Sequence, residues 1–153
     1  MEITTQEKLG DIIFYIVERS IKTYRQFAQR NIAREGVDIT IDQWLVLKSL
    51  EEKPQITQQE LAVSAFKDFA SITRIIELLV TKGYLTREFH PSDRRRFNLT
   101  ITSSGVSVLD EMQPIIARNR KSALDGISGE EMQTLTSILG KITANCQTQN
   151  YNP

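Results

Sequence analysis

The sequence predicts a mainly α-helical chain with one small β-hairpin. The expected arrangement is a winged helix-turn-helix flanked by long N- and C-terminal dimerisation helices. Three observations predict it. Apolar residues recur at spacings of three and four through most of the 153 residues, the mark of helices with one buried face. That period changes to two only between Leu85 and Ile101. Two short helical segments joined by a tight turn stand directly before this change, which is the order of a helix-turn-helix followed by a wing.

Thr4 and Glu7 match a capping box, in which each side chain bonds the other's backbone N–H. Leu9, Ile12, Ile13, Ile16, Val17, Ile21, Tyr24, Phe27, Ala28 and Ile32 follow at helical spacing. This predicts one helix from about Thr5 to Arg34, stopped by Gly36. Such a helix is longer than the globular average, and the small domain after it cannot cover its stripe, so it is expected to be a dimer element.

Thr40 and Gln43 form a second capping box before a helix carrying Trp44, Leu45, Leu47 and Leu50 and ending ahead of Pro54. Gln55-Ile56 is expected to add a short strand to the wing. Thr57 and Glu60 make a third box, opening a short helix with Leu61, Ala62 and Ala65. This helix would lie across the phosphate backbone, and its start, Thr57, Gln58 and Gln59, offers polar groups for a phosphate. Capping alone also explains Thr57.

Phe66 and Lys67 form the turn, with Lys67 a further candidate for DNA contact, and Asp68 caps the next helix. Ile72, Ile75, Ile76, Leu79 and Val80 give it one apolar face, while Ser71, Thr73 and Arg74 fall elsewhere and are candidates for base or phosphate contact. Gly83 ends it in a left-handed residue. Leu85, Arg87 and Phe89 then alternate with Thr86 and Glu88, and Phe97, Leu99 and Ile101 with Asn98 and Thr100, a hairpin with one buried face. The residues between the strands, Pro91 to Arg96, are expected to be a turn tipped by Arg94, Arg95 and Arg96. Three arginines in a turn are usually only solvated, but after a helix-turn-helix they are placed to reach DNA.

Thr102 is expected to cap a helix starting at Ser103, with Val106, Leu109, Met112, Ile115 and Ile116 as its stripe and Pro114 as a kink. Arg118, Arg120 and Lys121 read as a solvated face. Ser128 and Glu131 open a last helix striped by Met132, Leu135, Ile138, Leu139 and Ile142. Cys146 falls at its end, and residues 147–153 are expected to be a flexible tail. The predicted division is 1–36 with 103–146 for dimerisation and 37–102 for the winged domain.

Composition narrows the function. Net charge is zero, yet Lys67 to Phe97 holds seven basic and four acidic residues, so one face can carry +3 against −3 elsewhere. One cysteine and one histidine exclude an internal disulfide and a Cys/His zinc site within one chain. No phosphate-binding glycine loop and no catalytic set stand out, so neither an enzyme nor a cofactor is expected. The absence of a long apolar run and of a signal pattern predicts a cytoplasmic protein with no membrane partner.

ITQQELAVSA, FASITRIIELLVTKGYLTRE and PSDRRRFNLTITSSG together resemble the MarR family of bacterial winged-helix regulators. Its most specific trace is Asp93-Arg94-Arg95 followed by Leu99, Ile101-Thr102 and Gly105, similar to the family's wing and strand-to-helix joint, with Ile101 in place of the usual leucine. Ser71 to Arg74 resembles the recognition-helix core. The resemblance spans about Ile39 to Gly105 by motif and the outer helices by order. It implies a homodimer straddling a palindromic operator on double-stranded DNA, with repression the commoner outcome. It also implies a minor-groove role for Arg95 steadied by Asp93, phosphate contacts or solvation for Arg94 and Arg96, and a small-molecule effector site between the dimerisation helices and the winged domain. Tyr15, Tyr24 and Trp44 are candidates to line that site, although aromatics on helix faces are more often core.

Two alternatives stay open. One is a redox sensor acting through Cys146, although the family's peroxide-sensing branch has its cysteine near the amino end, where this sequence has none. The other is a winged protein-interaction module that reads no DNA.

Overall fold

The computed structural model describes residues 7–148. Its contacts group into one unit through Asn119 and a second from Arg120 onward.

The first unit opens with a single 3-10 turn, Leu9–Asp11, and an extended Ile12. Helix α1 follows at Ile13–Arg34. The expected start near Thr5 is therefore corrected. Gly10 lies within the intended first turns and weakens a helix there by roughly 0.5–1 kcal/mol relative to alanine, so the chain is extended at Ile12 and α1 begins after it. The Thr4 half of the capping box lies outside the described residues. The carboxyl end is as expected: Gly36 takes φ +74° and stops the helix.

Helix α2, Ile41–Glu52, has the full capping box. Gln43 N–H donates to Thr40 Oγ1 at 3.1 Å and Thr40 N–H donates to Gln43 Oε1 at 3.1 Å. Residues 55–56 form no strand. Pro54 has no N–H and Ile56 N–H is spent on the Lys53 carbonyl at 3.0 Å, so the segment is a turn and the sheet has two strands. Helix α3, Gln58–Ser64, keeps only half of its box. Thr57 Oγ1 accepts Glu60 N–H, but the Glu60 carboxylate is drawn to Lys53 Nζ at 2.5 Å, which also holds its pKa below the ordinary value.

Helix α4, Phe69–Thr81, is capped by Asp68 and ended by Gly83 at φ +79°. Strands β1, Leu85–His90, and β2, Asp93–Ile101, pair antiparallel with Leu85 opposite Ile101, Arg87 opposite Leu99 and Phe89 opposite Phe97. These six residues share the face predicted for them. The face is buried only at its base: Leu85 is in the core, whereas Phe89 is 49% exposed.

One core joins these elements to the first half of α5, Ser103–Ala123. Ile32, Val46, Leu47, Leu61, Ile72, Ile76, Leu79, Leu85, Val108, Leu109 and Met112 form its centre. Thr102 caps α5 as expected, accepting Gly105 N–H at 3.1 Å, and the helix runs on through Pro114. Gly105 sits against the wing: a Cβ there would fall 2.4 Å from the Tyr84 carbonyl oxygen.

In the second unit, α6, Gly129–Thr148, opens with a reciprocal capping box between Ser128 and Glu131. Leu135, Ile138 and Leu139 of its predicted stripe are exposed. The helix includes Cys146 and continues through Thr148, two residues into the stretch expected to be a tail. Residues 149–153 lie outside the described range.

Candidate nucleic-acid interface

The helix-turn-helix is α3, the turn at Ala65–Asp68 and α4. Leu61, Ala62, Ala65, Ile72 and Ile76 bury the inner faces of both helices, and the outward sides carry Gln59 and Arg74 together with Val63, Phe69 and Leu78. Gln58 Nε2 donates to Thr73 Oγ1 at 2.6 Å, and the Thr73 hydroxyl donates to the Phe69 carbonyl at 2.9 Å. Two predicted contact residues are thus brought together across α3 and α4. Thr57 is a cap, Gln59 and Arg74 are exposed, and Ser71 is half-buried, its N–H donating to Asp68 Oδ1 at 2.7 Å. The hydrogen bonds from Ser71 lower the Asp68 pKa.

Lys67 turns inward. Its Nζ stands 3.1 Å from Asp42 Oδ2, and Arg25 of α1 bonds Asp42 Oδ1. Lys82 is likewise engaged: its Nζ donates to Asp38 Oδ1 at 2.9 Å and to Gln43 Oε1 at 3.0 Å. Tyr84 Oη donates to the Asp38 carbonyl at 3.1 Å, and burial first, then the charges of Asp38 and Glu111, raise its pKa. Arg87 lies over the rings of Phe89 and Phe97 at 4.9 and 5.5 Å from their centroids, and those rings meet edge to face. Three of the seven cations counted between Lys67 and Phe97 therefore stiffen the fold, and the outward positive charge concentrates on Arg74 and the wing tip.

That tip differs from the expected long turn. The loop is only Pro91 and Ser92, and β2 begins at Asp93. Phe89 pairs with Phe97 and the next residue, His90, with Asp93, so Arg94, Arg95 and Arg96 are surplus to the pairing and form a bulge in β2. Asp93 Oδ1 accepts the Arg95 N–H at 3.0 Å and lies 3.6 Å from Arg95 Nε. The Arg95 side chain is 95% exposed, and Arg96 is also exposed. His90 Nδ1 and Ser92 Oγ, 2.9 Å apart, close the loop.

A family model described as MarR family matches residues 39–97. These residues hold the helix-turn-helix and most of the hairpin, and over them the chain is similar to the MarR family. Across 141 residues it is 29% identical to a Thauera aromatica protein assigned as a transcriptional regulatory protein for the hcr operon, covering 92% of this chain and 84% of that one. Two solved structures share the fold. Bordetella bronchiseptica BpsR, studied for regulation of its DNA binding by 6-hydroxynicotinic acid, matches with TM-score 0.78 at 21% identity over 90% of this chain and 96% of its own. A cysteine-to-serine mutant of E. coli MarR complexed with operator DNA matches with TM-score 0.78 at 22% identity over 90% and 99%.

The proposed effector-site aromatics are dispersed. Tyr15 and Tyr24 are nine positions apart on α1, half a turn out of phase and about 13 Å along the axis, so one chain does not bring them to a common pocket. Tyr15 carries Arg19 over its ring at 5.7 Å, and Trp44 packs half-buried against the core. An open surface groove of about 230 Å³ runs between α1 and α2, lined by Arg25, Gln26, Gln29, Thr40, Ile41 and Asp42. Asp42 is the residue the sequence undervalued. Lying between the two residues of the capping box, it ties α1, α2 and the helix-turn-helix turn together, a long-range role with no local signature.

Proposed function

We propose that this chain is a DNA-binding transcriptional regulator, acting as a homodimer on a palindromic operator, with repression as the expected outcome and a small-molecule effector as its control. The observation that carries the reading is the Asp93-braced, outward Arg95 in a bulged wing beside α4, within a domain similar to the MarR family. A guanidinium fork held on a narrow hairpin suits the electronegative minor groove, while α4 suits the major groove. Arg74, Arg94, Arg96 and Gln59 are the further contact candidates, with Ser71, Thr73, Gln58 and Thr57 ordering the surface around them.

The dimer reading is supported by apolar surface that one chain leaves open. Ile13, Phe14 and Ile21 on α1 are 51%, 60% and 49% exposed, and α6 leaves Leu135, Ile138 and Leu139 uncovered. The effector reading is supported by BpsR, whose DNA binding responds to an aromatic acid. An effector that binds better to a dimer with mis-spaced recognition helices weakens DNA binding by that difference in affinity.

The test is selection from random-sequence duplex pools with salt titrated. Enrichment of a palindrome with half-sites about one helical turn apart, with affinity falling steeply in salt, is expected. No enriched sequence, or binding indifferent to Arg95→Ala, would overturn the reading in favour of a protein partner.

A further inference from the structure

The polar groups at the leading end of α4 are already engaged within the chain. Asp68 Oδ1 holds the Ser71 N–H, the Thr73 hydroxyl is shared between the Phe69 carbonyl and Gln58 Nε2, and Lys67 faces Asp42. Beside the exposed carboxylate of Asp68, this end leaves apolar surface uncovered. Phe69 occupies the first helical position with 59% of its surface exposed, and Ala70 beside it is exposed too. Phe69 lies one turn ahead of Thr73, on the same row of the helix, which Gln58 approaches from α3. Phe66 is more exposed still, at 86%, but it sits in the turn before α4 and off that row.

A large ring left in water costs hydration free energy that contact with an apolar group would recover. The floor of the B-DNA major groove is a pattern of donors and acceptors with one apolar feature, the thymine C5-methyl group.

The geometry points to Phe69 as a specificity-determining residue that reads thymine by packing against its C5-methyl group. The inference rests on the DNA-reading function proposed above. It makes thymine the preferred base where the start of α4 meets each half-site, with Ala70 small enough to let the ring approach.

The test uses the full chain and the palindrome selected from random duplexes. Each thymine is replaced by deoxyuridine, which keeps the base pair and removes only the methyl group. Binding by the natural chain is expected to weaken about 4-fold for one half-site and about 15-fold for both, the equivalent of one buried CH2 each. Phe69→Gln is expected to bind the thymine and uracil duplexes equally, and Phe69→Leu to retain the preference. Thermal unfolding and binding to random duplex establish that each variant is folded. An enriched operator that the natural chain binds equally with thymine or uracil would overturn the inference alone. So would a thymine preference that survives Phe69→Gln. Failure of any sequence to enrich would overturn the DNA reading and this inference with it.

Discussion

Lys67 and Asp42 form an ion pair across the fold, with Nζ 3.1 Å from Oδ2, and the same carboxylate accepts a hydrogen bond from Arg25 of α1. The pair pulls a lysine of the helix-turn-helix turn away from the surface proposed to meet DNA. Both pairs are partly exposed, so each contributes about 0.5 kcal/mol. Asp42→Asn is therefore expected to lower stability by about 1 kcal/mol or less while freeing Lys67. DNA affinity at low salt should rise, and the slope of log affinity against log salt should steepen by up to about 0.9 per subunit. Urea unfolding and salt-titrated binding check the two halves. An unchanged slope would show that Lys67 stays away from phosphate even when released.

Gly105 and Gly83 resist alanine for different reasons. At Gly105 the added Cβ would stand 2.4 Å from the Tyr84 carbonyl oxygen and 2.7 Å from Ile101 Cγ2. That carbonyl accepts Thr102 N–H at 3.1 Å and cannot retreat without opening the joint between wing and α5. Gly105→Ala is expected to cost about 1–3 kcal/mol by overpacking. At Gly83 the space is open and only the φ of +79° opposes a side chain, a cost of about 1–2 kcal/mol. Chemical denaturation should rank Gly105→Ala as at least the equal of Gly83→Ala. Loss of near-ultraviolet signal from Tyr84 is expected for Gly105→Ala alone.

Phe66 holds φ +56°, a left-handed conformation that suits glycine, with 86% of its surface exposed. Phe66→Gly relieves about 1–2 kcal/mol of backbone strain and adds back about 0.5–1 kcal/mol of unfolded-state entropy. A net gain of about 0.5–1 kcal/mol is expected. Phe66→Val, β-branched at the same φ, should lose stability. Thermal midpoints of the two variants should fall on opposite sides of the natural chain.

Much of this architecture was legible because its signals are local. Thr40 with Gln43, Asp68, Thr102, and Ser128 with Glu131 each cap the helix that follows them, since capping depends on residues within one turn. The two strands of the hairpin and their shared face were legible through the alternation. The bulge was not, because it depends on how many residues the facing strand contributes, and β1 contributes none between the partners of Asp93 and Phe97. Nor was the engagement of Lys67 and Lys82, whose partners lie in other elements, or of Arg87, which reaches Phe97 across the strand pair as well as Phe89. Positive charge counted along the chain therefore overstated what reaches the surface.

The cap of α4 is sensitive to acid. Asp68 has its pKa lowered by its hydrogen bonds from Ser71. A carboxylate with a depressed native pKa stabilises the fold above its unfolded-state pKa, and that contribution is lost as pH falls toward the native value. Asp68→Asn, which caps without a charge, should remove this part of the acid dependence. Protection of the Ser71 amide, taken relative to its intrinsic exchange rate at each pH and followed between about pH 5 and pH 2, the span that brackets ordinary carboxylate titration, is expected to fall in the natural chain more than in the variant.

Asp93→Ala separates charge from placement at the wing. The Asp93 carboxylate is an anion beside the proposed DNA path, so charge alone predicts that its removal strengthens binding to any duplex. It also accepts Arg95 N–H at 3.0 Å and lies 3.6 Å from Nε, so its removal frees the Arg95 backbone and side chain within a bulge that no cross-strand pairing restrains. A fork that must be ordered on binding gives up affinity where geometry matters and little where it does not. Affinity for random duplex is therefore expected to hold or rise. Affinity for the selected operator should fall by about 1–2 kcal/mol per dimer, within the range for one specific arginine contact. Competition between the two duplexes at fixed salt reads the ratio directly. If operator and random duplex shift together, Asp93 acts by charge alone and does not place Arg95.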